Sequence, residues 1–415
     1  MRILTDFKYL LDYFNRNKLL ETLLVIIAFL MCFDKFTLRL IILFSAILSL
    51  FVSNYKLLKQ RLSLYKLSLV LLWIIPFIQL LVLSSFKLNW HKLETKLSLL
   101  VFPLIVITSL NQKKDSIYKV IKYFIYGSFI SMIFCLLNST YQLFVHNNYS
   151  SFSYSNLSMF HHPSYYAMFI NFSVGALYLR LIYPVKNEDY SKKILMFIFA
   201  FSSFIILLAS RTGWITNLLI HVLFILFQIK NKSLKKTHIF FGISIILLFI
   251  LLNNIPSVNT RSSEVVKHTI HAENQSSYPS STSTRKKAWE TSFELIKQNL
   301  IFGLGTGRSS EIMNQHYEKK GYIALKNKTT NSHNEFIQYQ LDHGLIGSIV
   351  LLFFTTVMLI FSLKDRDFIY SLFLIVIGIN FCTESMLETQ SGVVFFAFFN
   401  TLFFCNWVNK KFSFN

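Results

Sequence analysis

Charge is scarce in this sequence. Only 15% of its 415 residues are Asp, Glu, Lys or Arg, while 53% are hydrophobic and 17% aromatic, and the mean hydropathy is +0.48. So little charge excludes an ordinary soluble domain. Acidic residues are the scarcest, 20 against 41 Lys and Arg, which leaves a formal net charge of +21. In an apolar chain such a balance reflects basic cytoplasmic loops and contact with anionic lipid, so membrane lipids and not nucleic acid are the expected partners. Cysteine is nearly absent. Cys32, Cys135, Cys382 and Cys405 lie inside or at the edges of apolar runs without metal-ligand spacing, so no disulfide and no metal site are expected. They read as small buried hydrophobes. The first apolar run, near Leu20 to Phe33, lacks a small-residue cleavage site and is read as retained. No internal repeat is evident.

What the chain does have is apolar runs of about 15 to 22 residues, the length that crosses a bilayer as a helix. The expected fold is therefore all-α, a polytopic membrane bundle of about twelve transmembrane helices. The spans fall near 20–33, 36–53, 67–85, 97–110, 120–140, 164–182, 194–209, 214–229, 238–253, 344–363, 368–383 and 391–407. They divide the chain into nine spans over 1–253, a large loop over 254–343, and three spans over 344–415. Lys and Arg recur on alternate loops, which places both termini in the cytoplasm and the large loop outside. The loop 141–162 has no Lys or Arg, as an outer loop should. The loop 86–96, FKLNWHKLETK, also falls outside and carries three Lys, against the rule. On this topology His161-His162, Arg211, the large loop and the Glu384 turn share the outer face.

Within the large loop, Ser283 or Thr284 is expected to cap a helix whose apolar face is Trp289, Phe293 and Ile296, lying along the membrane surface. Its basic start, Arg285-Lys286-Lys287, opposes the helix dipole and is better tolerated with an anion nearby. Gly303, Gly305 and Gly307 follow in FGLGTGRSS. This is neither a phosphate-binding loop nor a dinucleotide fingerprint. It is either a plain helix-to-helix turn or a tight turn bringing Arg308 and backbone N–H groups to a ligand. Ser332-His333-Asn334-Glu335 has the spacing of a capping box, which puts His333 at the first helical position. There the dipole favours the neutral ring, which can accept a proton, and the same helix end attracts phosphate. A polar helix start without chemistry is the competing reading. Arg211, in Ser-Arg-Thr-Gly-Trp, either binds phosphate or anchors beside Trp214. His161-His162 lacks a third metal ligand. Glu384, Glu388 and Gln390 either hold an Arg, contact sugar hydroxyls or are solvated.

Together these motifs resemble the O-antigen ligase and O-antigen polymerase superfamily. The residues are Ser-Arg-Thr-Gly-Trp at 210–214, Arg285 with Trp289 ahead of Gly303-Leu-Gly305-Thr-Gly307, and Ser332-His333-Asn334-Glu335 ahead of His343-Gly344-Leu-Ile-Gly347. His161-His162-Pro163 also fits the resemblance. It implies a metal-independent, inverting glycosyltransferase without a cofactor, on the periplasmic face of a bacterial inner membrane. The donor would be a polyprenyl-diphosphate-linked glycan and the acceptor a lipid or another glycan. By the same resemblance His333 would activate the acceptor hydroxyl, and Arg211 and Arg285 would contact the diphosphate. Arg261, Arg308, His162, Glu335 and Glu384 would support them. Ligase is favoured over polymerase. The polar segment 257–284 has no counterpart in the family. A secondary transporter is the alternative of another class, disfavoured because ionisable residues sit at the ends of the spans.

Overall fold

The computed structural model describes residues 16–52, 63–83, 90–109, 114–184, 191–231, 242, 250, 281–323, 325–326 and 331–412. The described residues are helical and contain no strand. Among them six helices are long and apolar enough to cross a membrane: Leu64–Val82, Ser116–His146, Pro163–Ile182, Arg211–Lys230, Glu335–Lys364 and Gln390–Phe412. Phe368–Phe381 is a shorter apolar helix. The helical class agrees with the sequence, but among the described residues only six helices reach spanning length. Some expected spans emerge as shorter helices, such as the 12 residues of Ser98–Ser109. The span expected at 238–253 lies outside the described residues except for 242 and 250, as does most of the polar segment 257–284.

The chain forms two compact units. The first comprises Met1–Leu24, Arg39–Ile117 and Asn274–Asn415. Its elements include α1 (Leu71–Leu83), α2 (Trp90–Thr95), α3 (Ser98–Ser109), α4 (Ser281–Gln298), α5 (Ser309–Lys319), α6 (Glu335–Leu352), α7 (Phe368–Phe381) and α8 (Gln390–Phe412). Helix α8 packs along α3, while α6 packs against both α1 and α4. α8 is buried without a break from Ser391 to Val408 and carries much of the aromatic core, for instance Phe395, Phe399 and Phe403 around Phe373. Pro76 sits inside α1. It has no N–H, so the Leu72 carbonyl four residues back loses its helical donor. The Tyr339 hydroxyl of α6 donates to that carbonyl at 3.2 Å, turning a helix defect into an interhelical bond.

One end of this unit is tied by Asp365 and Asp367 in the turn before α7. Lys411 Nζ lies 2.9 Å from Asp365, Lys410 Nζ lies 2.7 Å from Asp367, and the Trp407 indole donates to Asp365 at 2.8 Å. Tyr65 stacks on Phe412 at the same end. The loops that the positive-inside rule puts in the cytoplasm thus meet each other. α6 carries the chain from the opposite end, at Glu335, towards this one.

The second unit comprises Val25–Leu38 and Tyr118–Glu273. Its core helices are Pro163–Ile182, Ser191–Leu207 and Arg211–Lys230, each packed on the other two. The first of these is buried from Pro163 to Tyr178. A polar network inside this apolar bundle is closed on itself. His221 faces the hydroxyls of Tyr178 and Ser202 and the Asn217 carbonyl, Asn217 donates to Asn171, and Asn171 donates to the Gly213 carbonyl at 3.0 Å. In a bilayer each of these groups must find its partner within the protein.

Candidate functional site

The start of α6 departs from the expected capping box. Asn334 is the N-cap, its side-chain oxygen accepting from Ile337 N–H at 3.1 Å, and the helix begins at Glu335. The Ser332 N–H is held by the Gln338 side chain at 2.8 Å, and Glu335 is turned away to accept the Leu387 N–H at 2.7 Å. His333 is therefore not in the helix. It precedes the cap in the left-handed region at φ 49°. Its N–H donates to the Asn331 side chain at 3.0 Å. The dipole argument made for a helical His333 does not carry over.

The ring meets the turn between α7 and α8. Glu384 lies with one carboxylate oxygen 3.2 Å from His333 Nδ1 and the other 2.6 Å from Arg285 Nη2. His333 and Arg285 are each about a third exposed, and Glu384 less so. Asn334 Nδ2 donates to the Cys382 carbonyl at 3.0 Å, and the Trp289 indole donates to the Ser332 carbonyl at 2.7 Å. Three distant stretches are joined here: α4 with Arg285 and Trp289, the lead-in to α6 with His333, and the 382–388 turn.

α4 starts at Ser281, before the predicted caps, so Arg285 to Lys287 lie beyond its first turn. Its buried face matches the predicted one only in part, at Ile296. Ala288, Thr291, Ser292, Leu295 and Ile296 are buried against α5 and α6, while Phe293 is 49% exposed. The triplet of Trp289, Phe293 and Ile296 was a sound helical spacing, but the neighbour that decides which face is covered lies elsewhere in the chain.

Behind the turn lies a buried charged cluster. Glu388 holds Lys92 Nζ at 2.6 Å and Lys96 Nζ at 2.9 Å. Lys96 is 2% exposed. Burial penalises its charge, but Glu388, Asp342 and Glu335 around it hold the ammonium protonated above its ordinary range. Burial equally penalises Glu388, and Lys96 and Lys92 hold its carboxylate below the usual range. Lys96 Nζ is also 3.5 Å from His343, whose other ring nitrogen faces Gln79 of α1. Glu335, Asp342 and His343 are buried beside this pair. Glu388 is therefore an ion-pair anchor and not a solvated turn residue. A signal existed in the sequence: the three Lys of 86–96 that offend the positive-inside rule include Lys92 and Lys96.

The glycine turn is used internally. Gly303, Gly305 and Gly307 all have positive φ. Leu304 N–H donates to the Leu341 carbonyl at 2.8 Å and Gly305 N–H to the Asp342 carbonyl at 2.9 Å. Gly344, at φ 62° and ψ −163°, kinks α6 opposite it. A Cβ on Gly344 would stand 2.1 Å from the Ile301 carbonyl oxygen. This is a turn docked on a kink, the plainer of the two readings. Arg308 is exposed at the N-cap of α5.

The remaining sequence candidates belong to the second unit or lie outside the described residues. Arg211 is the first residue of its helix, half-buried, after Ser210 whose hydroxyl accepts the Gly213 N–H at 3.2 Å. His162 is the N-cap of Pro163–Ile182, accepting from Ser164 N–H through its ring, a structural position. His161 is buried against Phe169 and Tyr166. Burial, with Lys35 nearby, pushes its imidazole down to about 4. Arg261 lies outside the described residues. Cys382, expected to be buried, is exposed because it sits in the 382–388 turn; the other three cysteines are buried and all four are free. Among the described residues no cluster of three or more His, Cys, Asp or Glu could hold a metal ion.

Residues 195–352 match a family model described as O-antigen ligase. The matched segment contains Arg211, Arg261, Arg285, Arg308, His333 and Glu335. No curated protein matches the chain.

Proposed function

We propose, from the premise that residues 195–352 match a family model described as O-antigen ligase, that this chain moves a glycan from a polyprenyl-diphosphate carrier to an acceptor hydroxyl, as a ligase. The observation that carries the reading is Glu384, bridging His333 at 3.2 Å and Arg285 at 2.6 Å. With Nδ1–H donating to the carboxylate, the His333 Nε2 lone pair faces outward as a base. It takes the proton of the acceptor hydroxyl. The oxygen attacks the anomeric carbon, the bond from that carbon to the diphosphate oxygen breaks, and the sugar inverts. Arg285 offers five N–H donors, more than one carboxylate oxygen uses, so it can also meet the departing diphosphate. Arg211 is assigned the second diphosphate contact, by the family resemblance alone. The same resemblance suggests that the reaction needs no metal.

We place this chemistry on the periplasmic face of a bacterial inner membrane, with both termini cytoplasmic. The end-to-end arrangement of the first unit supports this. Its Asp365–Lys411 end gathers the loops rich in Lys and Arg, and α6 separates that end from His333. Buried carboxylates are the observation that a transporter would need. Here Glu335 and Asp342 lie in the first turns of α6 and not at mid-span.

The test uses purified protein in detergent, a polyprenyl-diphosphate glycan, a panel of acceptors and EDTA, with His333→Ala, Arg285→Ala and Arg211→Ala in parallel. Glycan on a lipid acceptor, lost in the variants, is expected. Ladders of longer lipid-linked glycan would establish the polymerase instead. Absence of transfer by folded protein, with ion-driven uptake into vesicles, would establish the transporter.

A further inference from the structure

The turn after α4 presents three consecutive apolar side chains outward: Leu300, Ile301 and Phe302 are 49%, 55% and 60% exposed. Three adjacent exposed hydrophobes in a water-facing turn would be a liability. Their backbone, however, is fastened to two helices of membrane-spanning length. Leu345 N–H of α6 donates to the Leu300 carbonyl at 3.0 Å, and the Gln340 side chain donates to the same oxygen at 3.0 Å. On the other side Gln79 of α1 donates to the Phe302 carbonyl at 2.8 Å, and the Thr306 hydroxyl donates to the Pro76 carbonyl at 2.9 Å.

These partners set a depth. In the span Leu64–Val82, Gln79 and Pro76 lie about one and about two helical turns inside the Val82 end. The spans present exposed apolar side chains next to the turn: Leu345, Ile346 and Ile349 on α6, and Ile78, Leu81 and Val82 on α1. In a helix that crosses a bilayer such side chains face acyl chains. Leu300 to Phe302 extend that surface.

Irregular backbone at membrane depth persists only where its polar groups are paired within the protein. Five of the turn's backbone groups are paired in this way. Gly303 N–H donates to the Asn299 carbonyl at 2.9 Å, Leu304 and Gly305 donate to the α6 carbonyls described above, and the Leu300 and Phe302 carbonyls accept from the Gln340 and Gln79 side chains. Exposed Lys297 precedes the trio and exposed Arg308 follows it, at positions from which long basic side chains reach headgroup phosphates.

We infer that Leu300-Ile301-Phe302 is a wedge immersed in the acyl region of the leaflet at the Glu335 end of α6, and that lipid chains are its partner. The wedge fixes the depth of α4 and, with it, of Arg285. It does not depend on the reaction proposed above.

The test attaches an environment-sensitive fluorophore at Leu300→Cys, Ile301→Cys or Phe302→Cys, one at a time, in full-length protein carrying Cys382→Ser, since the other cysteines are buried. Lys319→Cys, on an exposed position of α5, is the water-facing control. Each labelled protein that elutes as the parent does is reconstituted in phospholipid vesicles containing doxyl-labelled lipid. Labels at 300 to 302 are expected to be blue-shifted, quenched several-fold more by the doxyl lipid than the label at 319, and protected from aqueous iodide. Iodide quenching equal to that at 319 would overturn the inference. Protection from both quenchers would also overturn it, in favour of a protein surface covering the turn. Three labelling positions keep the result readable if one substitution fails to fold.

Discussion

Glu384 serves two side chains at once, and the consequences can be measured one residue at a time. Glu384→Gln keeps the shape and removes the charge, leaving one acceptor oxygen for two donors, His333 and Arg285, and the guanidinium without its counter-ion. Transfer is expected to fall by about 10²-fold or more, the range of a general base losing its orientation, while the detergent melting temperature changes little. Arg285→Lys keeps the charge but loses the planar fork, so it should recover only part of the loss seen in Arg285→Ala. A pH effect concerns stability. His161 is held neutral by burial, with its folded value down at about 4, below that of an unfolded histidine. Below the unfolded value the unfolded chain takes up a proton that the folded one refuses. Its contribution to stability is thus present above about pH 6.5 and is lost as the pH falls towards 4, on the order of 2–3 kcal/mol. His161→Phe should flatten that part of the melting-temperature profile.

At the scale of elements, the turn between α7 and α8 is a clasp. Glu388 takes Lys92 and Lys96 from α2 and its exit, Glu335 takes the turn's own backbone, and Glu384 takes Arg285 and His333. Lys96→Met leaves Glu388 without its buried counter-charge and is expected to cost about 3–5 kcal/mol, whereas Lys96→Met with Glu388→Met costs less than either change alone. A double-mutant cycle by denaturant or thermal unfolding in detergent reads that coupling. The docking of the glycine turn on the α6 kink gives a second expectation. Gly344→Ala sets a Cβ 2.1 Å from the Ile301 carbonyl oxygen at φ 62°, in a conformation that costs an L-residue about 1–3 kcal/mol before any clash. It should destabilise the protein and move Arg285, lowering transfer even in protein that remains folded.

For the whole molecule the informative quantity is topology. Reporter fusions at 412, the last residue of α8, are expected to read as cytoplasmic, and reporters inserted near 320, after α5, as periplasmic. The opposite pattern would place His333 in the cytoplasm and end the assignment to a periplasmic transferase. The loop 86–96 explains why a count of basic residues alone was strained. Two of its three Lys are paired with Glu388, and a buried, neutralised lysine no longer reports which side of the membrane it came from.

The helical class and the membrane setting were legible in the chain itself, and local motifs drew attention to His333, Arg285 and Glu384, whose side chains the structure brings together. Apolar run length and local motifs encode those features, and both are read along the sequence. The pairing of Arg285 with Glu384 and of Lys96 with Glu388 joins positions hundreds or scores of residues apart, which no spacing rule reaches. The same holds for the true face of α4 and for the conformation of His333. Asn334 took the cap, Gln338 took the Ser332 N–H, and Glu335 was drawn to Leu387. Local capping patterns compete with any partner the fold brings near, and in a dry interior the buried partner decides which hydrogen bond forms.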